Sequence, residues 1–173
     1  MIDSHFQVNH LSPFHLARTL LPLLLKTARE HDDARIVHQA SDMHKLAPSD
    51  IQFSSIDEIN KDIGPSYLYN RSKLAQILYV REFVDRLNDG RLGSGEKVAN
   101  LFVNATHPGA VSTDQPKQAE DAYGLLGKAV VAVTRPFMKD PITEGCLSAL
   151  FAATSPDVKT ENITGQYVSL DDV

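Results

Sequence analysis

The run Lys97-Val98-Ala99-Asn100-Leu101-Phe102-Val103-Asn104-Ala105 constrains the fold more than any other stretch. A segment this short and this apolar makes a strand only when both of its faces are covered. His107-Pro108-Gly109 breaks it abruptly, which places a strand carboxyl end there. Residues 34–41, with Ile36-Val37 at the centre and Ser41 at the end, form a second short buried strand, and residues 165–170 a third. Between them lie helical patterns. Residues 4–27 carry Phe6, Phe14, Leu20, Leu21 and Leu24 mostly at steps of three and four, an amphipathic helix that Pro13 and Pro22 are expected to kink and whose leucines at 20–25 are expected to be buried. Residues 67–87 repeat the pattern through Leu74, Ile77, Val80 and Val84, and Asn88-Asp89-Gly90 stops it. Asp140-Pro141 fits an N-cap and first helical position ahead of a helix over 144–153, while 42–64, around Pro48, reads as an irregular connection. Strands alternating with helices predict an α/β fold, a parallel sheet with right-handed crossovers, whose ligands bind beyond the strand carboxyl ends.

At 173 residues and 42% hydrophobic content, the chain suits one domain with a real core. Its net charge of -5, without a long basic block, argues against nucleic acid as the main partner and favours a small-molecule substrate. The single Cys146 gives no disulfide framework and is expected to be a buried, inert thiol in a reducing compartment. Met1 to Phe6 has no signal-peptide character, and the leucine run is too short to span a bilayer, so a cytoplasmic chain without membrane association is expected. Residues 110–139 are apolar enough for a helix lining a greasy pocket, with a core helix and a membrane-dipping lid as alternatives.

Tyr69 and Lys73 stand four positions apart in a helical stretch and so share one face, one turn above the other. An ammonium beside a phenol favours the ionised phenol, which equips the pair for proton transfer near neutrality. Taken alone, the same spacing also describes an ordinary surface pair with a solvated lysine. The strand-end rule separates the two readings, because it gathers Ser41, the Tyr69/Lys73 helix start and the Pro108-Gly109 loop at one rim.

Phe6-Gln7-Val8-Asn9-His10-Leu11, the strand ending in Ser41 with His44 beyond it, Tyr69-Asn70-Arg71-Ser72-Lys73, His107-Pro108-Gly109-Ala110-Val111-Ser112-Thr113, Thr143-Glu144-Gly145 and Gly165-Gln166-Tyr167 occur in one order along the chain. Together they resemble the short-chain dehydrogenases/reductases, on the branch of retinol dehydrogenases and WW-domain oxidoreductases. Tyr67 is followed at the same spacing by Arg71 instead of lysine, so Tyr69 is the better match. The resemblance implies that Tyr69 is the catalytic acid/base and that Lys73 lowers its pKa while holding the nicotinamide ribose. It also implies that Ser41 bonds the substrate oxygen and that Asn9 supports a water-linked proton relay. Pro108, Gly109, Val111 and Thr113 then match the loop that meets the nicotinamide amide and phosphates, and the cofactor is NADP or NAD, with NADP preferred. Helices 4–27 and 67–87 match elements that pack between subunits, so a homo-oligomer is expected.

The match has departures. Ala40 stands where the family has a second serine, His38 and Gln39 replace a common asparagine and valine, and Ser12-Pro13 replaces a glycine context near Asn9. His44 and His107 lack the carboxylate or cysteine cluster of a metal site, and no metal is expected. The family's glycine-rich phosphate turn has no counterpart. Gly90-Arg91-Leu92-Gly93-Ser94-Gly95 follows a helix and precedes a strand, the reverse of what phosphate binding needs, and is expected to be a surface loop. Residues 1–173 are therefore expected to be a single, incomplete Rossmann-like NAD(P)-binding domain without its first strands, which self-associates and binds dinucleotide poorly. An enzyme is the first reading, and a truncated remnant without turnover, acting as an interaction module, is the alternative.

Overall fold

The computed structural model describes residues 2–92, 98–109, 140 and 142–169. Helix α1, Ser4–Phe6, starts where the Asp3 carboxylate accepts from the Phe6 amide, and it passes through a π-helical turn, Gln7–Leu11, into α2, Ser12–His31. Strand β1, Ala34–Gln39, is followed by a 3-10 turn, Asp42–Leu46, and a short helix α3, Ile56–Asn60. Helix α4, Pro65–Asn88, leads to strand β2, Leu101–Thr106. Helices α5, Leu147–Thr154, and α6, Asp157–Thr160, then precede strand β3, Tyr167–Val168.

Among the described residues the strands form one parallel sheet in the order β1-β2-β3, with Ala34 opposite Leu101 and Ala105 opposite Tyr167. Every residue of the central β2 is buried, as its composition demands. Side chains alternate along a strand, so Leu101, Val103 and Ala105 share a core with Leu25 and Ala28 of α2 and with Ile77, Val80, Phe83 and Val84 of α4. On the opposite face Arg35, paired with Phe102, reaches the carbonyls at the end of α5, donating to Ser155 O at 2.8 Å. Helices thus cover both faces. Burial of each large aliphatic side chain contributes about 1.5–3 kcal/mol. Val80, on the Leu101, Val103 and Ala105 face, is only 1% exposed, and a carboxylate there would be buried in an apolar cluster.

Local expectations fail where short-range signals compete with packing. Pro22 lies inside α2, and the irregular turn falls ahead of Pro13, at Gln7–Leu11. Helix α2 runs past the expected end at 27 as far as His31, and Asp32 ends it in a left-handed conformation with φ 57°. Leu20 and Leu23 are 41% and 60% exposed, so of residues 20–25 only Leu25 is buried. The connection 42–64 holds two helical turns, which Ser41 and Ser55 cap by accepting from the Met43 and Glu58 amides. Strand β2 starts later than expected and β3 is only two residues long. Asp140 caps a turn, accepting from the amides of Ile142 and Thr143, and the helix begins only at Leu147. Cys146 is half-buried, its Sγ 2.8 Å from Ile142 O, and not the buried thiol expected. The expected pocket-lining stretch 110–139, Pro141 and the Gly93–Gly95 part of the glycine cluster lie outside the described residues.

Candidate active site

Helix α4 begins at Pro65, whose missing amide hydrogen is not needed at a first helical position, behind Gly64 with φ 83°. That start puts Tyr69 in the second turn and Lys73 one turn further on. Lys73 is buried and its Nζ donates a 2.7 Å bond to Gln39 O, the last residue of β1. The same Nζ lies 5.6 Å from the centroid of the Tyr69 ring. Burial depresses the ammonium from its ordinary 10.5 to about 8. The pair is therefore brought together, with the lysine tethered to the strand end.

Ser72, fully buried between them, donates to Tyr69 O at 2.7 Å and accepts from Asn9 Nδ2 at 2.9 Å. Asn9 reaches it from the π-helical turn, a kind of irregularity that recurs at functional sites. Ser41 lies two residues beyond β1 in extended conformation. Its Oγ accepts from the Met43 amide at 3.3 Å, and its carbonyl accepts from His44 N at 3.1 Å and from His44 Nδ1 at 2.7 Å. Pro108 and Gly109 follow β2 at the neighbouring strand end, and Gly109 has φ 79°. Val111 and Thr113 lie outside the described residues.

The structure adds a cluster that the sequence did not reveal as a unit. Tyr167 Oη donates to Asp42 Oδ1 at 2.8 Å, and Lys45 Nζ lies 2.9 Å from the same oxygen. His107 Nε2 is 3.9 Å from Asp42 Oδ2, while His107 Nδ1 accepts from the Asp42 amide at 3.3 Å. The Tyr167 ring stands edge-on to His44 and stacks on His107, with centroids 5.0 and 6.3 Å away. Burial first, then the bond to Asp42, the Asp42 charge and nearby Tyr69 push the Tyr167 phenol up, so it stays a donor. Burial opposes ionisation of Asp42, yet Lys45, Tyr167 and His107 hold its carboxyl below the ordinary value. The sequence motifs held His44, His107 and Tyr167 separately, but nothing in them linked these residues to Asp42.

A cavity of about 870 Å³ opens between α2 and α4, lined by Phe6, His10, Phe14, Tyr79 and Phe83 among others. None of Ser41, Tyr69 or Lys73 lines it, so it is separate from the strand-end site. Among the described residues no helix is long and apolar enough to cross a membrane.

Ser41, the Tyr69/Lys73 helix start and the Pro108-Gly109 loop thus lie at the carboxyl ends of parallel strands, where α/β folds bind their ligands. No protein-family profile matches the chain. It is 43% identical over 155 residues to a Neurospora crassa protein named as a mitochondrial oxidoreductase, bli-4, covering 88% of this chain and 37% of that one. Human retinol dehydrogenase 14 is 34% identical over 166 residues, covering 95% of this chain and 43% of the relative. The fold matches a Pseudomonas aeruginosa structure, described as an RhlG/NADP active-site complex, with a TM-score of 0.59 at 20% identity, over 96% of this chain and 55% of that one. By sequence this chain is thus similar to short-chain dehydrogenases/reductases, retinol dehydrogenases and WW-domain oxidoreductases among them. It spans less than half the length of the curated relatives described here.

Proposed function

We propose that residues 1–173 are part of a single NAD(P)-binding domain that interconverts an alcohol and a carbonyl on an apolar small molecule. The observation that carries this reading is the Lys73 ammonium, buried, tied to Gln39 O and set 5.6 Å from the Tyr69 ring at the strand carboxyl end. The residues present suit the nicotinamide-ribose end of such a cofactor. An ammonium has three protons, Gln39 O takes one, and two remain for a pair of ribose hydroxyls. Pro108 and Gly109 offer backbone at the adjacent strand end, where the positive φ of Gly109 suits a residue without a side chain. By family resemblance Val111 and Thr113 extend that loop. When bound, the nicotinamide supplies or accepts the hydride. NADP is the preferred form, in keeping with the NADP named for the Pseudomonas aeruginosa protein.

In the reductive direction Tyr69 donates its phenolic proton to the carbonyl oxygen, and in the oxidative direction the phenolate takes the hydroxyl proton. Lys73 places a positive charge 5.6 Å from the centroid of the Tyr69 ring. Ser41 holds the substrate oxygen by its hydroxyl, and Asn9, which donates to Ser72 Oγ beside Tyr69, supports a water-linked proton relay. The remnant reading is not favoured, because the relatives carry the names of oxidoreductases and dehydrogenases. NADPH oxidation with a panel of apolar aldehydes and ketones tests the proposal. Tyr69→Phe is expected to lower turnover by about 10²-fold or more, and full turnover by that variant overturns the mechanism.

Self-association through α2 and α4 belongs to the same reading, supported by exposed Leu16, Leu20 and Leu23 on α2 and Leu78 on α4. A cytoplasmic location completes it. Cell fractionation tests that placement, with mitochondria as the competing result in view of the bli-4 name.

A further inference from the structure

We propose that Asp42, Tyr167 and His107 are positioning residues for Ser41, tying the turn that carries the substrate-binding hydroxyl to the loop that begins at Pro108. The inference rests on the role of Ser41 given above. Among the described residues, the hydrogen bonds of Ser41 itself run to Met43 and His44 of its own turn. Ala40, just before it, donates to Thr106 O at 2.8 Å, and the residue after it makes the further ties to the ends of β2 and β3. Asp42 is gripped at its carboxylate by Tyr167 Oη from the end of β3, 2.8 Å away. At its amide it is gripped by His107 Nδ1 from the end of β2, 3.3 Å away. His107 is fixed in turn, its amide donating to Val168 O at 2.9 Å and its carbonyl accepting from Ser148 Oγ of α5 at 2.7 Å. All three strand ends meet at Asp42.

The arrangement requires one state of His107. To accept from the Asp42 amide, Nδ1 must keep its lone pair, so the neutral ring carries its proton on Nε2, the nitrogen facing Asp42 Oδ2. The groups that act on this ring are Asp42, His44 and Lys45 from the 3-10 turn and Tyr167 from β3, with Tyr69 of α4 behind Tyr167. Burial, followed by Lys45 and His44 against the opposing pull of Asp42, leaves the ring with a lowered pKa and therefore neutral at pH 7. Once Nδ1 takes a proton it meets the Asp42 amide donor to donor, and the backbone grip is lost although the carboxylate attracts the imidazolium. The turn should then loosen in acid.

Amide hydrogen exchange on the full chain reads this without turnover. In wild type the protection factors of Asp42, Met43 and His44 should fall as pH drops through the titration of His107, followed in parallel by imidazole NMR, and His107→Gln should remove that pH dependence. Tyr167→Phe and Asp42→Asn should each lower protection at these amides about tenfold at pH 7, the scale of one hydrogen bond. Unchanged protection in both variants, or wild-type protection that is flat across the His107 titration, overturns the proposal. Turnover supplies a second reading. The loss caused by Tyr167→Phe should vanish in a Ser41→Ala background, whereas a general structural defect would persist there. If Ser41→Ala leaves turnover unchanged, the assigned role of Ser41 fails, while the exchange data still decide whether Asp42 holds the turn.

Discussion

Lys73 Nζ and the main-chain carbonyl of Gln39 are joined at 2.7 Å, so the cation of the proposed proton-transfer pair is fastened to the end of β1 and not left to solvent. Its position is set by backbone, and its charge is set by burial.

Burial holds Lys73 near pKa 8 in the folded chain, against 10.5 in the open. Because the folded value is the lower one, the buried ammonium opposes folding fully below pH 8, and this penalty is relieved as pH rises from 8 to 10.5. The stability of wild type relative to Lys73→Met should therefore rise over that window, by on the order of 3 kcal/mol at most. Denaturant titrations at pH 7.5 and 10 measure it, and a constant difference would contradict it. In turnover assays kcat/KM should show an alkaline limb near pH 8, as the ammonium of Lys73 is lost.

His38 is buried against the edge of the Tyr79 ring, and burial, reinforced by His10 and Lys73, lowers its pKa from 6.5 to about 4. A histidine kept neutral by folding supports stability above its unfolded pKa and withdraws that support as pH falls towards the folded value. Wild type should lose about 2 kcal/mol relative to His38→Asn between pH 7.5 and pH 5. Parallel urea curves for the two proteins at both pH values would refute this.

Asn9 and Ser72 are coupled across two helices by a 2.9 Å bond. Asn9→Ala should destabilise the chain by about 1 kcal/mol, and the loss should largely disappear in a Ser72→Ala background. A double-mutant cycle by denaturation gives the coupling energy, and additive losses would show that the contact contributes nothing.

Leu16, at 59% exposure, Leu20 and Leu23 line one side of α2. If α2 and α4 pack between copies, Leu16→Glu with Leu20→Glu should shift sedimentation towards monomer, while the far-ultraviolet circular dichroism stays unchanged. An unaltered sedimentation profile would place any association elsewhere.

The α/β class, the strand ends and the Tyr69/Lys73 face were legible because they depend on long, regular patterns. Strand β2 is buried throughout, and its composition says so. Less legible was everything decided by residues distant in sequence. Periodicity marked residues 20–25 as apolar, but it cannot say what covers a face, and Leu23 is exposed. Asp42 and Tyr167, 125 positions apart, meet only because β1 and β3 flank β2 in one parallel sheet. Helix α3 has five residues and depends on Ser55 and on Glu58, whose carboxylate gathers the amides of Gln52, Phe53 and Ser54. A carboxylate bonded to three amides is a local device with no periodic signature.

The π-helical turn at Gln7–Leu11 makes the amino-terminal part of the site a matter of counting. Such a turn holds one residue more than the α-turn it replaces, and one residue of an α-helix is about 100° of rotation. Phe6, buried beside Phe53, and Asp3, 3.8 Å from the Arg71 guanidinium of α4, face inward only in that count. Substitutions at Gln7 or Val8, both exposed, leave the count intact and should be tolerated. Loss of either one would turn everything before it by more than a quarter of a circle, swinging Phe6 towards water and pulling Asp3 away from Arg71. The segment ahead of Asn9 is thus a gauge of chain length, indifferent to many side chains and intolerant of a single deletion.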